Sequence, residues 1–126
     1  MTGKGDASDS VRDEERVVRR HLAAFNAGDV SGLAGTVAPD VMWLTGQDRL
    51  VGLAEVEPFF ARAMAALRPQ LEVHRLVADS GVVMAELIER LIHDGEAQTY
   101  PLVGVYDIAD GRIVRAAIYR EGTADL

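Results

Sequence analysis

Three short stretches, "DSG" at 79–81, "HDG" at 93–95 and "ADG" at 109–111, constrain this chain more than any other feature. Each ends in glycine, which adopts a left-handed backbone without steric cost, and together they separate apolar runs of similar length. Three such turns predict a meander of four antiparallel strands, from "LEVHRLVA" (71–78) to "GRIVRAAIYRE" (111–121). The segment "MAELIERLI" (84–92) competes with that reading. Met84, Leu87, Ile88, Leu91 and Ile92 recur at helical spacing, and Glu86 precedes Arg90 by four residues, as in an exposed helix pair. A helix there would leave "TYPLVGVYDI" (99–108) without an adjacent strand on that side, so 82–92 is predicted to be a strand. Its period of two places Ala85, Leu87, Glu89 and Leu91 on one face and turns Glu86 and Arg90 outward. Glu89 is then a single carboxylate on an otherwise apolar wall.

The turns also set registers. A two-residue loop at Asp94-Gly95 places Glu89 opposite Tyr100 and Leu87 opposite Leu102. If "ADG" is a three-residue loop with a glycine bulge, Tyr100 faces Arg120 and Leu102 faces Ile118. A carboxylate, a phenol and a guanidinium would then line up across three neighbouring strands. A one-residue slip in either loop breaks the alignment.

Upstream, "SVRDEERVVRRHLAAFNAGD" (10–29) begins with capping-type residues, carries acids in its early turns and runs Val18, Leu22 and Phe25 along one face of a helix. Asp29 can cap a short second helix with Val30, Leu33 and Val37 as its apolar set. "DVMWLT" (40–45) reads as a strand, and "GQDRLVG" (46–52) as a turn with a brief return strand. "AEVEPFFARAMAAL" (54–67) has helical composition, with Val56, Phe60, Ala63 and Leu67 as its inner stripe. Pro58 predicts a start near Glu55 or a bend. In "LEVHRLVA", Leu71, Val73 and Val77 share one face, and Glu72, His74 and Leu76 share the face assigned to the interior. Residues 1–10, "MTGKGDASDS", hold almost nothing to bury and are expected to form a flexible lead-in to a single domain over 11–126.

Composition narrows the partners. A chain of 126 residues, 48% hydrophobic and 26% charged, can bury a core without disulfides or a metal. With no cysteine, it has no thiolate nucleophile and no cysteine-based metal site. A net charge of −7 argues against a nucleic-acid surface, and Arg16, Arg19 and Arg20 form the only basic cluster. No apolar run approaches the roughly 20 residues of a membrane span, and the N-terminus lacks a signal peptide's apolar stretch, so a cytoplasmic location is expected. The three histidines share no ligand spacing, and no phosphate loop, dinucleotide fingerprint or nucleophile elbow is present. Neither a metal nor a cofactor is expected.

Helix, helix, strand, helix and four long strands is the order of a cone-shaped α+β fold. Through "VVRRHLAAFNAGDVSGLAGTVAPDVMWL", "GLAEVEPFFARA" and "GVYDIADGRIVRAAIYRE", residues 14 to 121 resemble the NTF2-like superfamily. The resemblance is to its SnoaL-like and ketosteroid-isomerase-like branch, which includes limonene-epoxide hydrolases. It implies three N-terminal helices packed in a strongly bent, mostly antiparallel sheet around a deep apolar pocket. It also implies a homodimer through the outer sheet face. A ketosteroid isomerase would carry an aspartate near Thr45, a tyrosine near His21 and an acid near Val103, and all three differ here. A limonene-epoxide hydrolase would carry an arginine near Leu87, an aspartate near Glu89, a second near Ile118, and a tyrosine and an asparagine near Trp43 and Thr45. Only Glu89 keeps the chemical type.

The catalytic candidates are Glu89, Tyr100, Arg120 and His74. Glu89 on an apolar wall suits a general base, or equally a salt bridge to Arg120. Tyr100 can orient a ligand oxygen or simply line the wall, and Arg120 can hold a carboxylate or enolate oxygen or pair structurally. His74 can shuttle a proton or be a tolerated strand histidine. His21 can enter the pocket from the first helix, whereas His93, in its turn, is expected to face solvent. The expected lining is His21, Leu22, Phe25, Trp43, Thr45, Phe60, Leu67, Leu87, Leu91, Leu102 and Ile118. Tyr106 is expected to pack. The expected activity is cofactor-independent isomerisation, cyclisation or epoxide opening of an apolar polyketide-, terpenoid- or steroid-like molecule. The alternative is a non-catalytic binding or dimerisation module of the same fold.

Overall fold

In the computed structural model, which describes residues 6–120 with side chains from residue 11 onward, all three glycine turns are two-residue loops. Ser80-Gly81, Asp94-Gly95 and Asp110-Gly111 each have two consecutive positive φ angles, between 52° and 81°. Such turns match the twist of the strands they join. They link β3 (Gln70–Asp79), β4 (Val82–His93), β5 (Glu96–Ala109) and β6 (Arg112–Arg120) into the expected meander. "MAELIERLI" is part of β4. Glu86 and Arg90 point outward and pair with Arg75 (2.9 Å) and Glu72 (2.6 Å) of β3 rather than with each other.

The rest of the chain supplies α1 (Asp6–Ala27), α2 (Val30–Ala34), β1 (Val37–Thr45), β2 (Asp48–Val51) and α3 (Leu53–Leu67). The sheet order is β2-β1-β6-β5-β4-β3, antiparallel except where β1 runs parallel to β6. α1 starts before the expected Ser10; no proline or glycine interrupts the chain from Asp6 to Ala27. Residues 1–5 of the expected lead-in, and 121–126 of the expected domain, lie outside the described residues. Asp29 caps α2, its side chain accepting from Gly32 N–H at 2.9 Å. Val37 belongs to β1 rather than to α2. α3 begins at Leu53 and continues through Pro58, which cannot donate to the carbonyl four residues back.

Val17, Val18, His21, Leu22 and Phe25 of α1 are buried with Val56 and Phe60 of α3 and the inner face of the sheet. Asn26 fastens the edge strand to α1. Its amide donates to Leu71 O (2.9 Å) and accepts from Leu71 N (2.7 Å), as a neighbouring strand would.

Two registers set the site. β4 pairs with β5 as expected, Glu89 with Tyr100 and Leu87 with Leu102. The β5–β6 register differs: Leu102, not Tyr100, faces Arg120, and Gly104, not Leu102, faces Ile118. "ADG" closes as a two-residue loop, and the bulge lies between Asp107 and Ile108 instead of in the turn. Each change shifts β6 by one residue in the same direction. Beyond the bulge the combined shift of two returns the side chains of β6 to their expected face.

A bulge between Val73 and Arg75 breaks the β3 alternation at His74. Leu71 and Val73 pack on the core where Glu72 and His74 were expected, so the interior face of β3 is reversed before the bulge, while beyond it Leu76 faces the core as expected, with Ala78. Val77 is 62% exposed. The outer sheet face carries an apolar row from strand to strand: Val77, Met84, Val105, Ala117 and Leu44 are successive register partners. No helix among the described residues is long and apolar enough to cross a membrane.

Candidate active site

A cavity of about 440 Å³ opens between α1, α3 and the inner sheet face. Its volume lies in the range of small-molecule sites. Of the expected lining, His21, Phe25, Trp43, Thr45, Phe60, Leu67, Leu87, Leu91, Leu102 and Ile118 border it, as do Glu89, Tyr100 and Arg120. Leu22 does not: it is buried in the core beside the cavity. His74 is exposed on β3, because the bulge there turns the strand's interior positions to Leu71 and Val73. His74 therefore lies outside the cavity in which a proton-shuttling role was expected of it. His93 is exposed at the end of β4, 3.4 Å from Asp94.

Glu89 is 4% exposed, and its Oε1 accepts from Arg120 Nη2 at 2.7 Å and Nε at 3.2 Å. Arg120 Nη1 donates to Thr45 Oγ1 at 3.2 Å. The end of β6 thus links β4 to β1 across the cavity mouth. A guanidinium is the partner an ionised carboxylate needs when buried. Glu89 Oε2 has no protein partner among the described residues, yet it is not sealed in the interior. Since Glu89 lines the cavity, that oxygen opens into it. Tyr100 stands at the rim, 37% exposed, and its hydroxyl donates to the Gln98 side-chain oxygen instead of reaching Glu89 or Arg120.

The inner end is aromatic. His21 lies with its ring centroid 5.2 Å from Trp43, 6.0 Å from Tyr106 and 6.2 Å from Phe60. Burial pushes its pKa down to about 3, so the imidazole is neutral at physiological pH. Burial likewise raises the Tyr106 phenol above its ordinary value. Tyr106 is 1% exposed and borders the cavity, where packing alone was expected. Gly104 explains its pose: a Cβ there would lie 2.5 Å from Tyr106 Oη and 2.7 Å from two ring carbons. The ring therefore lies back along β5 toward Leu102. The "LVGVY" spacing, a glycine two residues before a tyrosine on the same strand face, was the available signal. Phe59, Ala63, Leu71 and Asp48 of the lining were also not foreseen. Leu71 was hidden by the β3 bulge, and Asp48 enters because it pairs with Thr45. Among the described residues, no group of three or more acids and histidines is placed to hold a metal ion.

Residues 18–116 match the SnoaL-like domain family. The chain belongs to that family. No curated protein sequence matches this SnoaL-like chain, but solved structures share its fold. An LEH-like epoxide hydrolase from M. tuberculosis superposes with a TM-score of 0.81 at 22% identity, over 88% of this chain and 84% of that one. A protein from Xanthomonas campestris pv. campestris, provisionally named a polyketide cyclase, gives 0.82 at 24% identity, over 86% and 90%. A Catenulispora acidiphila protein with a ketosteroid isomerase-like fold gives 0.76 at 15% identity, over 82% and 83%. The α+β architecture of three helices and a six-stranded mixed sheet is that of the NTF2-like cone. Against the hydrolase resemblance this SnoaL-like site differs in one instructive way: the guanidinium beside Glu89 comes from Arg120 on β6, while Leu87 leaves the expected arginine position apolar.

Proposed function

We propose that this chain is a small-molecule enzyme performing cofactor-independent acid/base chemistry on an apolar polyketide-, terpenoid- or steroid-like substrate. The observation that carries the reading is the buried Glu89 carboxylate, held by Arg120 through one oxygen and presenting the other to an apolar cavity. Proton transfer next to a carbonyl fits this arrangement best. Glu89 Oε2 takes a proton from the carbon beside a substrate carbonyl, and the electron pair moves onto the carbonyl oxygen as an enolate. Of the five N–H bonds of Arg120, one on Nε, one on Nη1 and one on Nη2 are engaged, which leaves one at each terminal nitrogen for that oxygen. Return of the proton to another carbon is an isomerisation. Attack of the enolate carbon on a second carbonyl is a cyclisation, with Glu89 protonating the new alkoxide. Epoxide opening would also need an acid for the leaving oxygen, and the cavity has a single buried carboxylate.

A homodimer through the outer sheet face belongs to the same reading. It is supported by the apolar row from Val77 to Leu44, flanked by exposed Val103.

Incubating the protein in heavy water with a panel of cyclic ketones and enones, and following deuterium uptake by mass spectrometry, tests the first step. The parent should catalyse exchange at the carbon beside the carbonyl, and Glu89→Gln should lose it. Exchange at the parental rate in Glu89→Gln would remove Glu89 as the base. Closure of Glu89 on Arg120 favours a second reading, a ligand-binding module without chemistry. Binding of the panel with no exchange in the parent would establish that alternative.

A further inference from the structure

The charged mouth of the cavity does not use its inner end, where three polar atoms have no protein partner. Among the described residues, His21 Nε2, Trp43 Nε1 and Tyr106 Oη make no hydrogen bond, yet none is sealed away from space. All three side chains are nine-tenths or more buried and border the cavity. Their open side is therefore the cavity itself.

The protein fixes which role the imidazole plays. Thr36 Oγ1 lies 2.7 Å from the Leu33 carbonyl and 2.9 Å from His21 Nδ1. A hydroxyl has one proton, and at 2.7 Å two bare oxygens would repel, so Thr36 donates to Leu33. It then has only lone pairs to offer His21, which places the imidazole proton on Nδ1. Burial keeps the ring neutral, so Nε2 is left bare and accepts. Beside it stand one donor without acceptor capacity, the Trp43 indole N–H, and one group that does both, the Tyr106 phenol.

We propose that this inner end reads a neutral hydroxyl group on the ligand: His21 Nε2 accepts its hydrogen, and Trp43 or Tyr106 donates to its oxygen. A hydroxyl is the small uncharged group that satisfies both. A ketone leaves Nε2 facing another acceptor, an ether lacks the hydrogen, and a cation or carboxylate would be stripped of water among apolar rings. The span to the charged mouth is short. Trp43 and Thr45 are two residues apart on one face of β1, about 7 Å, and the Tyr106 hydroxyl lies over Gly104, two residues from Leu102 on β5, again about 7 Å. The ligand class is thus a compact apolar skeleton with a reacting oxygen at one end and a hydroxyl at the other. The proposal rests on the cavity as a ligand site, not on catalysis by Glu89.

Binding of 2-naphthol and 2-methoxynaphthalene to the full chain, followed by calorimetry and by long-range nitrogen NMR of the histidine rings, tests it. The free protein should show His21 with a protonated Nδ1 and a bare Nε2. The naphthol should bind about tenfold more tightly than its ether and shift the Nε2 resonance. His21→Leu should abolish that preference. Thr36→Val, which frees the ring to change tautomer without touching the ligand, should weaken it, while Glu89→Gln should keep it. A proton on Nε2 in the free protein, equal binding of both probes, failure of the naphthol to move the His21 signals, or a preference that survives His21→Leu would each overturn the proposal. Loss of proton exchange without loss of this preference would instead separate it from the catalytic reading.

Discussion

Lowering the pH should destabilise this protein through His21. The folded imidazole has a pKa near 3, against 6.5 for an ordinary histidine, so between those values the unfolded chain binds a proton that the folded chain does not. Stability from this source is complete above pH 6.5 and falls as the pH drops toward 3. At pH 5 the folded ring is essentially all neutral, so the cost is set by protonation of the unfolded chain. It amounts to about 2 kcal/mol relative to pH 8. The partners of Glu72 and Glu86, Arg90 and Arg75, lower those carboxyl pKa values through hydrogen bonds first and charge second, so their losses begin at more acidic pH. Urea unfolding of the parent and of His21→Leu at pH 8 and pH 5 isolates the histidine, because contributions from His74, His93 and the acids cancel in the comparison. Leucine suits the cage of Trp43, Phe60 and Tyr106. The parent should lose about 2 kcal/mol more than the variant. Equal losses would mean that His21 is protonated or solvated in the fold, and the bare-nitrogen argument would fall with it.

Three further outcomes are expected. Gly104→Ala drives a Cβ into Tyr106 and should cost about 1–3 kcal/mol, most of it recovered in Gly104→Ala/Tyr106→Leu; additive costs in thermal melts would show that the two do not touch. Arg120→Met leaves Glu89 buried without its cation and should cost about 3 kcal/mol, whereas Arg120→Met/Glu89→Leu should regain most of that. Chemical denaturation in which the double variant is no more stable than Arg120→Met would contradict the pairing. Met84→Glu places a charge within the outer apolar row, between Val77 and Val105, and should convert the proposed dimer to monomer by light scattering. A parent that is already monomeric at micromolar concentration would dispose of that interface.

The strands and turns were legible because each rests on a local signal with one physical solution. "DSG", "HDG" and "ADG" can close tightly only with their glycines in the left-handed region, and they do. Bulges have no comparable signature. The one at Val73–Arg75 decided that His74 faces solvent and Leu71 the cavity, and "LEVHRLVA" alternates too cleanly to announce it. The β5–β6 register shows the converse. The loop is one residue shorter than expected and the bulge lies within the strands, yet Glu89 and Arg120 still meet, because a two-residue shift preserves the face and an arginine side chain spans the diagonal.

His21 was expected in the cavity and Tyr106 was not, but the proton position on the one and the pose of the other escaped for a different reason. Their role depends on what lies beside them, namely Thr36 fifteen residues along the chain and the missing side chain of Gly104. Sequence spacing gives the face on which a residue sits; it does not give the neighbour that fixes a proton on one ring nitrogen or the empty space that lets a phenol lie down. The charged mouth could therefore be sketched from Glu89 and Arg120 alone. The inner end required the relay from Leu33 through Thr36 to His21. That relay separates the two ends chemically, a base and a cation at the mouth and an uncharged hydrogen-bonding group among aromatic rings within. A substrate that satisfied only one end would leave either a buried ion pair or a bare imidazole nitrogen facing apolar surface, and the desolvation cost of each is a means of rejecting the wrong molecule.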